Sequence, residues 1–199
     1  MSETSGRTGL RDITREAVRA RIAAVAVARF DRDGFDAVTV EQIAAEVGIS
    51  ARSFHRYFPA KEDTVIGDPA RHRGALAEAF DDRPHGEPLW QSLREAFAGM
   101  MVSADEEPEY GRRSVRVMMS TPSLRARNLE KHLAWADVLT PLVAERVRAA
   151  GVTDVELRTA VLVQAALGCF DVAITRWSVT EEDAPALLRR TFDALAAVV

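Results

Sequence analysis

Arg52, Ser53, His55, Arg56, Tyr57 and Lys61 stand close together in a stretch, 51 to 61, that holds no carboxylate. They offer hydrogen-bond donors, positive charge and flat rings. Arginine can bond a guanine edge through two parallel N–H groups, while serine, histidine and tyrosine can reach phosphates or thymine methyls. Any one of these side chains alone would pass as ordinary solvated surface; the signal is that they share a face. On a helix that advances about 100° per residue, Ala51, Phe54 and Phe58 take one side and Arg52, Ser53 and Arg56 the other, with His55 and Tyr57 on the flanks. Lys61 follows Pro59, where its ammonium and the free N–H groups of a restarting helix are expected to hold one phosphate together.

The flanking residues supply the elements that would present this face. Thr39 can cap a helix over Val40–Val47, and Gly48 sits where that helix needs a left-handed residue to stop. Ser50 can cap a second helix over Ala51–Tyr57. The apolar set Val40, Ile43, Ala44, Val47, Ile49, Phe54 and Phe58 gives both helices an inward side, joined by a turn as short as a helix-turn-helix requires.

Catalytic chemistry finds no comparable support. His55, His72, His85 and His132 include no pair at the i, i+4 spacing of a helical zinc site, and a single cysteine cannot complete a structural one. The chain lacks a phosphate-cradling glycine loop and a nucleophile elbow. No enzyme activity, catalytic residue, metal or cofactor is expected. Cys169 lies in an apolar stretch, where a small buried packing role is the expectation.

The head residues resemble the TetR family of transcriptional repressors. The matching pattern is Ile22, Ala26 and Phe30 at four-residue spacing, then Gly34-Phe35, Thr39-Val40, Ile43-Ala44, Gly48-Ile49-Ser50 and Tyr57-Phe58 with Lys61. His55 departs from it, standing where many members carry tyrosine. The resemblance implies that Thr39, Ala51, Arg52, His55, Arg56, Tyr57 and Lys61 occupy positions that touch DNA; the helical wheel adds Ser53. It also implies a body that binds a small molecule, a class whose ligands span acyl-CoA esters, lipids, antibiotics and other drugs.

Charge divides along the same line. Residues 1–61 hold ten Lys and Arg against eight Asp and Glu, so the rest of the chain carries about −6 to give the net charge of −4. An acidic chain with a basic head will not coat DNA indiscriminately, which favours a defined operator over general packing. The expected division is a flexible arm over 1–13, a DNA-binding domain over 14–60, and a ligand-binding and dimerisation domain over 61–199. Arg7 and Arg11 in the arm are left out of the site. No signal-peptide core and no window of about 18 apolar residues is seen, so a soluble cytoplasmic protein is expected, with no membrane partner.

Beyond Lys61 the sequence predicts helix after helix and an all-α fold of about nine. A connecting helix runs from Ala60 to Phe80, interrupted near Gly67-Asp68-Pro69, and the run 81 to 88 breaks the chain. Helices then follow over Leu89–Ser103, Pro108–Ser120, Ser123–Ala150, Asp154–Ser178 and Glu181–Val198. The helix around Val161–Ile174 is apolar nearly all round, and the last one aligns Leu188, Phe192, Leu195 and Val199 while Arg189, Arg190 and Asp193 stay polar. Two such helices from each of two chains would make a four-helix bundle, so a homodimer is expected.

Trp90, Phe97, Met100, Met101, Met118, Met119, Trp135 and Phe170 fall in helices that surround the effector cavity in relatives; all but Met119 are taken as candidate ligand contacts. Plain core packing is the alternative for each. Arg112, Arg113, Arg116, Arg125 and Arg127 are read as solvated surface, with a carboxylate or phosphate receptor as the lesser alternative. The resulting expectation is a ligand-released repressor that binds a palindromic operator as a dimer. The alternative is a helical protein-interaction module that keeps the helix-turn-helix as scaffold.

Overall fold

A computed structural model describes residues 9–67, 69–105 and 107–197, and every described element is helical. The chain divides into two compact units, a head that ends at Val65 and a body that begins at Ile66. This division falls a few residues beyond the expected one.

The head contains α1 (Leu10–Asp33), α2 (Val40–Val47) and α3 (Ala51–His55). Ile22, Ala26 and Phe30 recur every four residues on α1 and are buried, as are Phe35, Ile43, Phe54 and Phe58. Phe30 and Phe35 lie with ring centroids 4.8 Å apart, and Phe54 and Phe58 at 5.8 Å. Full burial of such a side chain is worth roughly 1.5 to 3 kcal/mol. Arg29 pairs with Glu46 and so joins α1 to α2. Leu10–Ile13 are helical, which shortens the expected arm; residues 1–8, with Arg7, lie outside the described residues.

Beyond α3 come α4 (Asp63–Ile66), which spans the boundary of the two units, then α5 (Pro69–Asp81), α6 (Leu89–Asp105), α7 (Pro108–Ser120), α8 (Pro122–Ala149), α9 (Val155–Trp177) and α10 (Ala184–Ala196). The described residues therefore form ten helices and not nine, because the connecting helix is two. Gly67 adopts a positive φ of 79°, which ends α4, and Pro69 starts α5. The last helix begins later than expected because Asp183 caps it, accepting from Ala186 N–H at 2.7 Å. Val198 and Val199 lie outside the described residues.

In the body α9 packs against α6, α7, α8 and α10, and α5 packs against α6 and α8. Val163, Ala166, Phe170, Ala173 and Trp177 form its buried stripe. One expectation is corrected here: α9 has 23 residues and an 18-residue stretch of mean hydropathy 1.6, and is long and apolar enough by composition to cross a bilayer. Its neighbours in the body account for one side of that apolarity. Cys169 is buried, its S–H donating to the Thr191 carbonyl at 3.6 Å, and burial pushes the thiol pKa up.

The break between α5 and α6 is a clipped loop. Arg83 and Ser92 donate to the Glu87 carboxylate, and Arg146 on α8 donates to the Glu87 and Pro84 carbonyls at 2.8 and 3.2 Å. Hydrogen bonds from Arg83 and then Ser92 hold the Glu87 carboxyl down to about 2, against its ordinary 4.5. A lowered carboxyl pKa contributes stability that is present above the unfolded value and lost as pH falls through the folded one. In Glu87→Gln the melting temperature should therefore fall less steeply from pH 4.5 to 2 than in the native chain, as followed by circular dichroism.

Candidate functional site

The caps that the sequence suggested are in place. The Thr39 hydroxyl accepts from Gln42 N–H at 3.3 Å, and the Gln42 side chain accepts from Thr39 N–H at 2.9 Å. Gly48 closes α2 in the left-handed region at φ 82°, ψ 30°. Ser50 accepts from Ser53 N–H at 3.1 Å, and its own hydroxyl lies 3.0 Å from that of Ser53. Ser53 is thereby part of the cap of α3 as well as a candidate contact.

α3 is shorter than expected, ending at His55, so Arg56 and Tyr57 stand in the turn that follows. Pro59 accounts for the early end, because it has no N–H for the His55 carbonyl and disfavours helical backbone at Phe58. The Arg19 guanidinium on α1 donates to the Tyr57 carbonyl and lies 4.5 Å from the Phe58 ring centroid, holding the turn that follows. Arg52, His55 and Arg56 are exposed, and Ala51, Ser53 and Tyr57 half-buried. Thr39 is exposed as well. His55 places Nδ1 3.2 Å from the Pro59 carbonyl. A carbonyl only accepts, so that nitrogen carries the proton.

Lys61 is engaged within the head. Its Nζ donates to the Phe35 and Val38 carbonyls, both at 2.9 Å, and sits 4.2 Å from the Phe35 ring centroid. Two of its three donors are engaged inside the head, tying the segment after α3 to the loop between α1 and α2.

The structure adds two residues that were left out. Arg11 and Arg15 on α1 join Thr14, Arg56 and Tyr57 around an open concavity of about 430 Å³, with three guanidinium groups and no carboxylate in its lining. Arg11, Arg15 and Arg19 recur at four-residue spacing, a signal present in the sequence. What spacing could not supply was Arg56, which reaches the same hollow from a distant part of the chain. Such a hollow suits a phosphate, since arginine presents paired donors to its oxygens.

In the body, Phe97, Trp135 and Phe170 form one aromatic cluster, with centroid separations of 5.2 to 6.0 Å. Met101 and Met118 are buried and Met100 half-buried. Trp90 packs instead on Phe192, at 4.6 Å, and its Nε1 donates to the Phe192 carbonyl at 3.2 Å. A cleft of about 950 Å³ lies elsewhere in the body, bordered by Leu89, Arg146, Leu157, Arg158 and Val161; none of the seven candidate ligand contacts lines it.

The arginine cluster is not uniformly solvated surface. Arg112 is buried, donating to Glu181 at 2.6 Å and lying 5.3 Å from the Trp177 ring centroid. Arg116 donates to the Ser178 carbonyl at 3.0 Å. Both guanidiniums fasten α7 to the end of α9 and the segment after it, a role set by partners distant in sequence. Arg125 is exposed and Arg127 pairs with Glu130.

A capped helix-turn-helix with an exposed arginine face, followed by an all-helical body, defines a one-component regulator of the DNA-reading class. Residues 22–65 match the bacterial regulatory proteins of the tetR family, and residues 87–199 match the MftR C-terminal domain. The chain belongs to the TetR family, with a body of the MftR type, a family of regulators and not of enzymes.

It is 30% identical over 125 residues to the protein of Mycobacterium tuberculosis assigned as mycofactocin biosynthesis transcriptional regulator MftR, a match that covers 63% of each chain. The matched stretch is thus less than two thirds of that relative. The fold is similar to that of the fatty acid degradation regulator FadR of Bacillus halodurans, with TM-score 0.67, 19% identity, and 89% of this chain and 94% of that one covered. It is also similar to Bacillus subtilis FadR in complex with stearoyl-CoA, with TM-score 0.63, 18% identity, and coverage of 90% and 98%.

Proposed function

We propose that the chain acts in the cytoplasm as a repressor, binding a palindromic operator as a homodimer and leaving it when the body takes up a small, largely apolar effector. The observation that carries this reading is the exposed, carboxylate-free face of Arg52, His55 and Arg56 beside the Arg11 and Arg15 hollow. A recognition helix needs such a face for base edges and a neighbouring cationic hollow for the backbone.

The dimer reading is supported by the outer side of α9. Leu157, Val161 and Val172 are 60%, 57% and 59% exposed, and the exposed Gly168 lies on the same stripe. An apolar row with a small residue at its middle suits a second copy packed closely against it. The effector reading draws on the aromatic and methionine side chains of α6, α7 and α8, and on the stearoyl-CoA held by a protein of similar fold. Release would pass through the break at Gly67 between α4 and α5, altering the spacing of two heads that must match successive major grooves about 34 to 36 Å apart.

The test is fluorescence anisotropy of the full chain against DNA from around its own gene, at two salt concentrations, beside a scrambled duplex. The expected result is tight, salt-sensitive binding to one segment, with two chains per duplex by sedimentation. Equal weak binding to both duplexes would overturn the reading in favour of a protein-interaction module.

A further inference from the structure

The core of the body uses one side of α9. Val163, Ala166, Phe170, Ala173 and Trp177 are buried there, while Leu157, Val161, Gln164, Gly168 and Val172 are exposed and recur every three or four residues along the opposite side. This exposed row is symmetric about the peptide bond between Gln164 and Ala165. Leu157 and Val172 lie at equal distances from that bond on either side, and so do Val161 and Gly168. When two such helices run antiparallel about a two-fold axis at that bond, Leu157 meets the partner's Val172 and Val161 meets the partner's Gly168.

Gly168 supports this pairing independently of the spacing. Beyond its own turn of helix, no atom of the described residues lies within 4 Å of where a Cβ would stand. Glycine is unfavourable inside a helix, and nothing in its own chain needs the space. The hollow it leaves in the row fits the Val161 side chain of a second copy.

The charges at the two ends select the direction. Asp154 precedes the row and Arg176 follows it, at nearly equal distances from the midpoint, and both are exposed. Antiparallel pairing sets each Asp154 beside the partner's Arg176, whereas parallel pairing would set like charges together. Arg176 also meets Glu182 at 3.5 Å, and a guanidinium has donors enough for two carboxylates.

We propose that the chain dimerises by antiparallel pairing of α9 with the partner's α9 in this register, Val161 of each copy seated on the partner's Gly168. The proposal rests on the homodimer reading and deepens it by fixing which residues meet.

The experiment uses the full chain without DNA, and sedimentation velocity first gives its assembly state. Cysteine variants then report the register under mild oxidation, with the native chain, whose one thiol is the buried Cys169, as the blank. A disulfide needs Cα atoms within about 7 Å of each other. Gln164→Cys lies beside its own copy at the axis and should link alone. Leu157→Cys and Val172→Cys each stand roughly 22 Å along the helix from their own copies, so neither should link alone, while the chain carrying both should. Gly168→Val should raise the dimer dissociation constant at least about tenfold at unchanged helix content, and adding Val161→Gly should recover most of that loss. A monomer at every concentration would overturn the homodimer reading together with this register. A native dimer in which Gln164→Cys stays unlinked, Leu157→Cys or Val172→Cys links alone, or Gly168→Val leaves the affinity unchanged would overturn the register and leave the homodimer reading standing.

Discussion

Replacing Arg52 with alanine should cost ~1 to 3 kcal/mol of operator affinity and relax the sequence preference at one base position. Arg52 is exposed on α3 and makes no hydrogen bond or ion pair among the described residues, so its loss leaves the head intact. Arg56 should behave differently. It stands past the end of α3, beside the Tyr57 ring at 5.6 Å and in the hollow with Arg11 and Arg15. A guanidinium placed there is expected to meet the DNA backbone. Arg56→Ala should weaken binding to operator and scrambled duplex alike, and reduce the slope of log affinity against log salt by about 0.9. Salt titrations of both variants by anisotropy check the pair of expectations. If Arg52→Ala behaves as Arg56→Ala is expected to, with uniform loss and a lower slope, then α3 is not the base-reading element.

The helix-turn-helix was legible in the sequence because its determinants are local. Thr39, Gly48 and Ser50 act on backbone groups within a few residues, and each cap forms as its residue type requires. The helix over Pro108–Ser120 was likewise bounded by its own chemistry, with proline at the first turn and the next helix opening at Pro122. What escaped was decided by partners far along the chain. Arg19 takes the Tyr57 carbonyl and holds the turn after α3 against α1; Glu181 and Trp177 turn Arg112 from a surface charge into a clamp. The family resemblance put Phe97, Trp135 and Phe170 in helices around a cavity, but it could not say that Trp90 would turn to Phe192. Periodicity was silent on the buried Asn128, Lys131 and His132, because a polar run on a long helix ordinarily marks its solvent side.

Lys61→Ala should destabilise the head by about 2 kcal/mol, since truncation leaves two backbone carbonyls without their charged donor. Those carbonyls belong to Phe35 and Val38, at the turn that feeds α2, and the same ammonium lies over the Phe35 ring. The loss should loosen the junction between the segment after α3 and the loop before α2, and so weaken DNA binding on every sequence. A phosphate contact would also weaken binding on every sequence, so affinity alone cannot separate the two roles. Salt dependence and stability can. The structural role lowers the urea midpoint of the variant and leaves the salt slope of the remaining folded protein unchanged. A phosphate role leaves the midpoint in place and lowers the slope by about 0.9. Lys61→Met sharpens the comparison, because it keeps the aliphatic stem against Phe35 and removes only the donors. It should lose most of the stability that Lys61→Ala loses. An unchanged midpoint with a reduced slope would return Lys61 to the DNA backbone.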